Sequence, residues 1–277
     1  MNILVTLNSN YIEQLIVMLT SLIKSDDNEK FEVYIVHSSL DEDDLILIVN
    51  SVCIDRCKIT DVKIPEGMFD EAPVTYRYPK EMYYRIFAAQ YLPESVDRIL
   101  YLDPDIVIIN RISGLYNMDM GDNFFAAASH VSKSLKKINE LRLDMPEDST
   151  YINSGVMLLN LQELRKSQNI REVYDYIENK KAFFLLPDQD VINGVYADRT
   201  VHVDAMIYNL SDRYLYLYNA NPKNISTKRD MRWIANNTSI IHYCGRNKPW
   251  KNNYKGELGV FYYYFENLVN RKICAME

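Results

Sequence analysis

Short apolar runs alternate with amphipathic segments through the first hundred residues, and this alternation limits the folds open to the chain. Ile3 to Leu7 is a strand-like run, and apolar residues then recur at helical spacing as far as Ile23. Phe31 to Val36, Lys58 to Ile64 and Ile99 to Leu102 are further strand-like runs. Because strands alternate with helices, we predict an α/β fold with helices packed on a mostly parallel sheet.

Three further segments extend this prediction. The stretch SSLDEDDLILIV has a Ser/Asp-rich start, which is typical of a capped helix. We predict another helix from about Lys80 to Tyr91 and another strand from Asn123 to Ala128. The second half of the chain is less regular and rich in tyrosine, and no Gly/Ser linker marks a domain boundary.

Composition excludes several classes of protein. The 277 residues are 48% hydrophobic and 25% charged, as expected of a folded globular protein. The formal charge of −7 disfavours nucleic acid as a partner. Four cysteines without zinc-finger spacing predict reduced thiols. Without a signal sequence or an apolar run of roughly 18 residues, we expect a cytoplasmic protein.

The run RILYLDPDIVII ends a predicted central strand in two acids. Asp103 and Asp105 are two residues apart and face the same side of an extended segment, and Pro104 favours that conformation. Two carboxylates at one point repel each other, and a divalent cation removes the conflict and offers charge to phosphate oxygens. The alternative is that the tripeptide only ends a strand and begins a turn.

A second apolar run ends in polar residues near the C-terminus, in SIIHYCGRNKPW. Its end offers the imidazole of His242, the close backbone approach allowed by Gly245, and the ammonium of Lys248. An imidazole added to two carboxylates shifts the preferred metal from magnesium toward manganese. The alternative is a structural histidine at a strand end.

Two more stretches place groups that hydrogen-bond sugar hydroxyls beside predicted elements. TYINSGVMLLN puts Asn153 and Gly155 before an apolar strand, and LPDQDVIN puts Asp188 and Gln189 at the start of a helix that begins with proline. The acids of PDQD could equally be a solvated helix start. No glycine-rich dinucleotide or P-loop motif occurs.

Seven segments in the order LNSNY, YRIF, YLDPD, YINSGVMLLNL, PDQDVIN, YN and IHYCGRNKPW resemble glycosyltransferase family 8. This family contains retaining enzymes such as bacterial lipopolysaccharide galactosyltransferases and glucosyltransferases, and the glycogenins. The resemblance covers nearly the whole chain. It implies the GT-A fold, with a single Rossmann-like mixed sheet, an irregular helical C-terminal region, a catalytic domain over residues 1–250 and an aromatic and basic extension over 251–277.

The resemblance also implies roles for individual residues. The implied metal ligands are Asp103, Asp105 and His242, with Mn²⁺ as the cofactor and Mg²⁺ as a weaker substitute. The implied donor-binding residues are Asn8, Asn10, Tyr11, Arg85, Asn153, Asp188, Gln189, Gly245 and Lys248, and of these Asp188 and Gln189 are also the catalytic candidates. Family members commonly carry an acid at the position of Asn8, which leaves specificity for uridine less firmly expected.

The resemblance implies transfer of glucose or galactose from a UDP-sugar to a glycan, glycolipid or cell-surface acceptor. Gln189 is a poor nucleophile, which favours attack by the acceptor on the face that the leaving group vacates. Two other functions remain open: a metal-dependent nucleotidyltransferase or phosphohydrolase, and a non-catalytic nucleotide-sugar-binding protein. Residues 132–149 could be a mobile cover or a solvated helix and loop, and the aromatic C-terminal stretch could touch a membrane surface or pack on the domain.

Overall fold

The computed structural model describes residues 1–52, 55–73, 80–131 and 133–273. These residues form the strands β1 Asn2–Leu7, β2 Phe31–His37, β3 Cys57–Val62, β4 Arg98–Leu102, β5 Ile106–Ile108, β6 Phe125–Ala128, β7 Val156–Asn160, β8 Thr200–Val203 and β9 Ile240–His242. They also form the helices α1 Ile12–Ser25, α2 Glu42–Val52, α3 Glu81–Ile86, α4 Ala88–Tyr91, α5 Ser113–Tyr116, α6 Lys133–Leu143, α7 Leu161–Ser167, α8 Ile170–Lys180, α9 Pro187–Tyr196, α10 Ala205–Tyr208, α11 Asp212–Ala220, α12 Met231–Asn237 and α13 Gly259–Ile273.

One seven-stranded sheet, in the order β3-β2-β1-β4-β7-β6-β8, forms the centre of the molecule. Neighbouring strands are parallel except where β7 pairs with β4 and with β6, so β7 alone runs against the other six in the described part of the chain. Strands β5 and β9 form a separate antiparallel pair. The predicted mixed, mostly parallel sheet flanked by helices is confirmed.

The predicted elements agree with the structure to within about two residues, with one exception. The helix predicted from Lys80 to Tyr91 is two helices, α3 and α4, because Phe87 leaves the helical conformation with φ −107° and ψ 27°. This break accompanies complete burial of the Phe87 ring, which stacks on Tyr83 with ring centroids 6.1 Å apart. Tertiary packing therefore overrides the helical periodicity at this position.

Strand β4 carries the acid pair to the edge of the sheet where β7 begins. Leu102 at the end of β4 pairs with Val156 at the start of β7, and the Asp103 N–H donates to Gly155 O at 2.8 Å. The chain then continues into β5, where Ile106 pairs with His242. The reversed direction of β7 therefore brings the segment before it next to the acid pair.

Two apolar layers cover the two faces of the sheet. Along β4, Leu100 and Leu102 face a layer that includes α1 and α13, whereas Ile99 and Tyr101 face a layer that includes α8 and α9. All four side chains are fully buried. Because β4 is apolar on both faces, it is a central strand, as predicted.

The C-terminal helix α13 packs its aromatic residues on the domain. Tyr262, Phe265 and Val269 are buried in the layer that contains α1, whereas Tyr264 is exposed. Packing on the domain was one of the two alternatives for this stretch. No helix in the described ranges is both long and apolar enough to cross a membrane.

The predicted reduced cysteines are only partly described. Cys57 is buried in β3 and Cys244 carries a free thiol. Cys53 and Cys274 lie outside the described residues.

A buried carboxylate anchors α6 to the start of α9. Asp190 is fully buried, and its oxygens accept from Arg142 at 2.7 and 2.8 Å and from the Tyr151 hydroxyl at 2.6 Å. The backbone N–H groups of Leu185 and Leu186 donate to the same carboxylate at 2.6 and 3.0 Å. The charged segment 132–149, of which Ser132 lies outside the described residues, therefore contains a helix tied to the domain near its C-terminal end.

Removing Arg142 tests this anchor. Arg142→Ala leaves a buried carboxylate without its cation, so we expect the free energy of unfolding to fall by about 3–5 kcal/mol in urea denaturation. Lys166→Ala is the control, because Lys166 is exposed and its ion pair with Glu163 at 3.2 Å is worth less than about 1 kcal/mol. Equal effects of the two substitutions would contradict the anchoring role of Arg142.

Candidate functional site

Two carboxylates and an imidazole meet where β4 and β9 end. His242 Nε2 lies 3.1 Å from Asp105 Oδ1 and 3.7 Å from Asp103 Oδ2. One ligand atom from each of the three residues lies within 4.8 Å of the other two. Oxygen and imidazole nitrogen ligands together suit a divalent transition ion. The three side chains could therefore hold a metal ion.

The hydrogen bonds around His242 set which ring nitrogen carries the proton. His242 Nδ1 lies 3.0 Å from Asn209 Oδ1, and the Asn209 amide nitrogen donates to Asn153 Oδ1 at 2.9 Å. Because the second bond fixes the orientation of the amide, Asn209 Oδ1 accepts from Nδ1–H. The Nε2 atom therefore faces the carboxylates of Asp103 and Asp105 and is the ring nitrogen available to a metal ion.

This arrangement fits a cation. Asp105 Oδ1 is buried and accepts no hydrogen bond from any described residue. A buried oxygen without a donor is unfavourable. A metal ion bound to His242, Asp103 and Asp105 would supply the missing partner of Asp105 Oδ1.

Lys248 completes the surroundings of Asp105. The buried Lys248 ammonium contacts Asp105 Oδ2 and donates to Tyr243 O at 2.8 Å. Burial raises the pKa of Asp105, but the contacts with His242 and Lys248 outweigh burial and lower this pKa to about 2. Asp105 is therefore a carboxylate throughout the neutral pH range, as a metal ligand must be.

Gly155 lets the chain pass close to Asp103, Asp105 and His242, which we call the metal-ligand group. A Cβ atom at this position would lie 2.2 Å from His242 Cε1 and 2.6 Å from Asp103 Oδ2. These separations are shorter than any van der Waals contact, so a side chain at residue 155 would displace His242 or Asp103. The requirement for glycine is thus steric.

Arg85 links the metal-ligand group to α9. Its guanidinium lies 3.2 Å from Asp103 Oδ1 and 3.0 Å from Asp188 Oδ2, and it stacks over the Tyr101 ring at 4.4 Å. Burial lowers the pKa of Arg85, but Tyr101 and the two carboxylates more than compensate and raise it. Arg85 therefore remains a cation between two carboxylates.

An amide network holds the start of α9 against the segment before β7. Gln189 Oε1 accepts from Asn153 Nδ2 and from the Ser154 backbone N–H, both at 3.1 Å. The Ser154 hydroxyl donates to Asp188 Oδ2 at 3.3 Å. Gln189 is 7% exposed, so its amide is a buried support rather than an exposed group.

A cavity of about 590 Å³ opens beside these residues. Of the residues predicted from the sequence, its lining includes Asn8, Tyr11, Arg85, Asp103, Asp105 and Asp188. Glu81 and Tyr84 also contribute to the wall. The side-chain oxygen Oδ1 of Asn8 accepts from the Asn10 backbone N–H at 3.0 Å, which caps the short 3₁₀ turn Ser9–Tyr11.

Six predicted residues lie outside this cavity wall: the buried or half-buried Asn153, Gln189, His242 and Lys248, and the exposed Asn10 and Gly245. Asn10 is exposed in the turn after β1, and Gly245 is exposed in the loop after β9 with φ +82°. That φ favours glycine, and no atom lies within 4 Å of the position where a Cβ would be. The loop therefore offers an accessible stretch of backbone near Lys248.

Sequence reasoning missed the role of Asn209. Asn209 is fully buried and bonds both His242, a predicted metal ligand, and Asn153, a predicted donor-binding residue. The only signal in the sequence is the pair Tyr208-Asn209, which contributes to the family resemblance without indicating a role. The sequence places Gly155 close to Asn153, but only the structure shows what requires a glycine there.

The sequence matches known proteins over most of its length. The family model of glycosyl transferase family 8 matches residues 2–254. General stress protein A of Bacillus subtilis (strain 168) is 24% identical over 271 residues, which cover 96% of this chain and 92% of that protein. Lipopolysaccharide 1,2-glucosyltransferase of Escherichia coli (strain K12) is 27% identical over 251 residues, which cover 90% of this chain and 72% of that protein.

Solved structures resemble the fold. The galactosyltransferase LgtC, crystallised in complex with donor and acceptor sugar analogs, superposes with a TM-score of 0.80 at 20% identity, covering 97% of this chain and 96% of that one. The glycosyltransferase GlyE of Streptococcus pneumoniae TIGR4 gives 0.71 at 17% identity, covering 99% of this chain and 63% of that one. The chain has the GT-A fold expected from its sequence.

Replacing Gly155 tests the geometry of the metal-ligand group. Because the new methyl group would displace His242, Gly155→Ala should weaken Mn²⁺ binding about 10- to 100-fold in a calorimetric titration. Gly121→Ala is the matched control, since no atom lies within 4 Å of its Cβ position. Its φ of +53° should cost about 1–2 kcal/mol of stability without changing metal affinity. Unchanged affinity in Gly155→Ala would contradict the assigned geometry.

Proposed function

Because the chain belongs to glycosyltransferase family 8, we propose that it transfers a hexose, glucose or galactose, from a UDP-sugar to a glycan or glycolipid acceptor with retention of configuration. One observation carries the proposal: Asp103, Asp105 and His242 converge beside a cavity that also contains Arg85 and Asp188. A metal-ligand group next to side chains that bind hydroxyl groups suits a sugar linked to a diphosphate.

The donor would extend across the cavity. Asn8 follows β1, and Tyr11 ends the 3₁₀ turn that comes next. Both residues would contact the nucleoside, with Asn10 between them in the turn. Gly245 and Lys248 follow β9 and would contact the diphosphate through the backbone and the ammonium group. The name of the Escherichia coli relative supports glucose as the transferred sugar and lipopolysaccharide as a class of acceptor.

The sugar would lie near the start of α9. Arg85 and Asp188 form an ion pair at 3.0 Å in the cavity wall, and both retain hydrogen-bonding capacity toward hydroxyl groups. Asn153 and Gln189 support them from behind through the bond between their amides at 3.1 Å. We assign Asp188 to sugar binding and Gln189 to positioning.

The metal-ligand group fits manganese. A histidine nitrogen with two carboxylates favours Mn²⁺ over Mg²⁺, which prefers oxygen ligands alone. When bound, the metal supplies positive charge that stabilises the departing diphosphate. Lys248 adds a second positive charge, which is worth more as negative charge builds on the leaving group.

The reaction exchanges one bond at the anomeric carbon. The bond to the diphosphate oxygen breaks, and its electron pair leaves with UDP. An acceptor hydroxyl oxygen forms the new bond on the same face, and its proton passes to a diphosphate oxygen. The residues of the site bind and orient the two substrates and exclude water, so their contribution is mainly positional.

Metal removal tests the proposal. Incubated with Mn²⁺ and a panel of UDP-sugars and glycan acceptors, the protein should release UDP and give an acceptor heavier by one hexose in mass spectrometry. Chelator should abolish transfer, and Mn²⁺ should restore it better than Mg²⁺. Asp105→Asn should abolish transfer too, whereas Asp175→Asn, an exposed change on α8, should not.

Other outcomes of this test separate the alternatives. UDP binding without turnover would indicate a non-catalytic binding protein. Cleavage of the diphosphate without sugar transfer would indicate a phosphohydrolase. Full transfer in chelator would contradict the metal assignment.

Substitutions at Asp188 and Gln189 separate the two routes to retention. If Gln189 only positions its neighbours, Gln189→Ala should keep measurable transfer with the same anomeric configuration, read by NMR of the product. Asp188→Ala should lower kcat/KM roughly 10- to 100-fold further, because it removes a charged hydrogen bond to the sugar. A sugar adduct on either residue, trapped and detected by mass spectrometry of the protein, would establish double displacement instead.

A further inference from the structure

A second cavity, of about 490 Å³, lies between α11 and the loop that follows Lys248. Its walls come from residues 212–219 and residues 247–257. None of its lining residues belongs to the metal-ligand group or to the predicted donor site. Its volume lies within the range of small-molecule sites, about 300–1,000 Å³. We refer to it as the α11 cavity.

Both walls of the α11 cavity continue chain segments that build the metal-ligand group. Asn209, which bonds His242, precedes the first residue of α11 by three positions, and the His242 N–H donates to Leu210 O at 2.8 Å. On the other wall, Asn247 is the immediate neighbour of Lys248, which contacts Asp105. The α11 cavity is therefore held in a fixed position relative to the candidate active site.

The wall of the α11 cavity is built before any ligand binds. A Cβ atom on Gly256 would lie only 2.4 Å from Asp212 Cγ, so glycine lets the loop pack against α11. Asp212 accepts from the Tyr254 hydroxyl at 2.5 Å and from the Leu258 N–H at 3.1 Å. These bonds fasten the loop to the helix, and a preformed cavity loses less entropy on binding.

The side chains of the α11 cavity suit a carbohydrate. Tyr216 is 71% exposed and offers a flat ring, and Arg213, Lys255 and Glu257 are exposed hydrogen-bonding groups around it. With Asp212, the wall contains two basic and two acidic residues, which favours a neutral ligand over a strongly charged one. An aromatic face with polar groups around it matches a hexose, which has an apolar face and a rim of hydroxyls.

The amides in the wall are already occupied. Asn219 bonds the backbone of Arg229 in both directions at 2.9 Å, and Asn247 bonds the backbone of Lys255 at 2.6 and 2.9 Å. Recognition of a ligand would therefore fall to Tyr216 and the charged side chains around it.

We propose that the α11 cavity binds a sugar unit of an oligosaccharide acceptor, beyond the unit that receives the transferred hexose. This assignment rests on the proposed function for the identity of the ligand as an acceptor. Its physical basis is the exposed Tyr216 ring in a preformed cavity whose walls continue the chain segments that contact His242 and contain Lys248.

Direct binding tests the cavity without donor or metal. Maltotriose, lactose and the core oligosaccharide of delipidated lipopolysaccharide are the probes, titrated into the full chain and followed by NMR of the tyrosine rings. At least one should shift the Tyr216 resonance, identified by its loss in Tyr216→Ala. That variant should bind the same probe about tenfold more weakly, while Tyr216→Phe retains most of the affinity because it keeps the ring. The monosaccharides glucose and galactose should bind the unsubstituted chain no more tightly than they bind the Tyr216→Ala variant.

The control is Tyr264→Ala, which removes a tyrosine that is 60% exposed on α13, outside the cavity, and should leave binding unchanged. In transfer assays, Tyr216→Ala should raise KM for the oligosaccharide about tenfold and leave the KM for the UDP-sugar unchanged. If no probe shifts Tyr216, or if Tyr216→Ala binds as tightly as the unsubstituted chain, the assignment is overturned. Probe binding at Tyr216 in a protein that turns over no UDP-sugar would support the cavity while contradicting the proposed function.

Discussion

Negative charge gathered at the end of one buried strand is the constraint on which the site depends. Asp103 and Asp105 follow the buried strand β4, and their side chains are only 23% and 11% exposed, so water screens their charges poorly. Arg85 faces one carboxylate, and Lys248 and His242 face the other. Arg85 belongs to α3, whereas His242 and Lys248 belong to β9 and the loop that follows it, so the acid pair brings two distant segments of the chain together.

A run of buried amides connects the metal-ligand group to the start of α9. His242 bonds Asn209, Asn209 bonds Asn153, and Asn153 bonds Gln189, with separations of 2.9 to 3.1 Å. Asn209 and Asn153 each use both the side-chain oxygen and the side-chain nitrogen in hydrogen bonds. The Gln189 side-chain oxygen accepts from two donors, so the orientation of each amide is fixed. A rotation at one end would therefore break bonds along the whole run, which keeps the ligand atoms in place before substrate binds.

Sequence reasoning located the residues that follow strands. Short continuous apolar runs are visible in the sequence, and β4 and β9 end where those runs end. The ends of these runs identified Asp103, Asp105 and His242 as candidates, and the family resemblance implied that the three residues share one metal site. Their convergence within 4.8 Å agrees with that reasoning, although the ion itself stays a prediction.

The remaining features depend on contacts that no local pattern encodes. The reversed direction of β7 brings Asn153 and Gly155 to the acid pair. An apolar run of five residues does not indicate whether its strand will be parallel or antiparallel to its neighbours. Asn209 lies in a short connection after α10, where an isolated asparagine predicts only a turn. The division between α3 and α4 follows from burial of Phe87, which the helical spacing does not indicate.

The contacts of Asp188 and Gln189 bear on the route by which the proposed reaction would retain configuration. Asp188 Oδ2 is shared between Arg85 at 3.0 Å and the Ser154 hydroxyl at 3.3 Å, which lowers the nucleophilicity of that oxygen. Gln189 Oε1 already accepts from Asn153 and Ser154 and is buried behind the cavity wall. Attack on an anomeric carbon by either oxygen would require the site to give up bonds that hold its own walls together. In the proposed reaction, a covalent intermediate on Asp188 Oδ2 or Gln189 Oε1 would therefore form at the expense of the contacts that hold the start of α9, whereas same-face attack by the acceptor leaves these contacts in place.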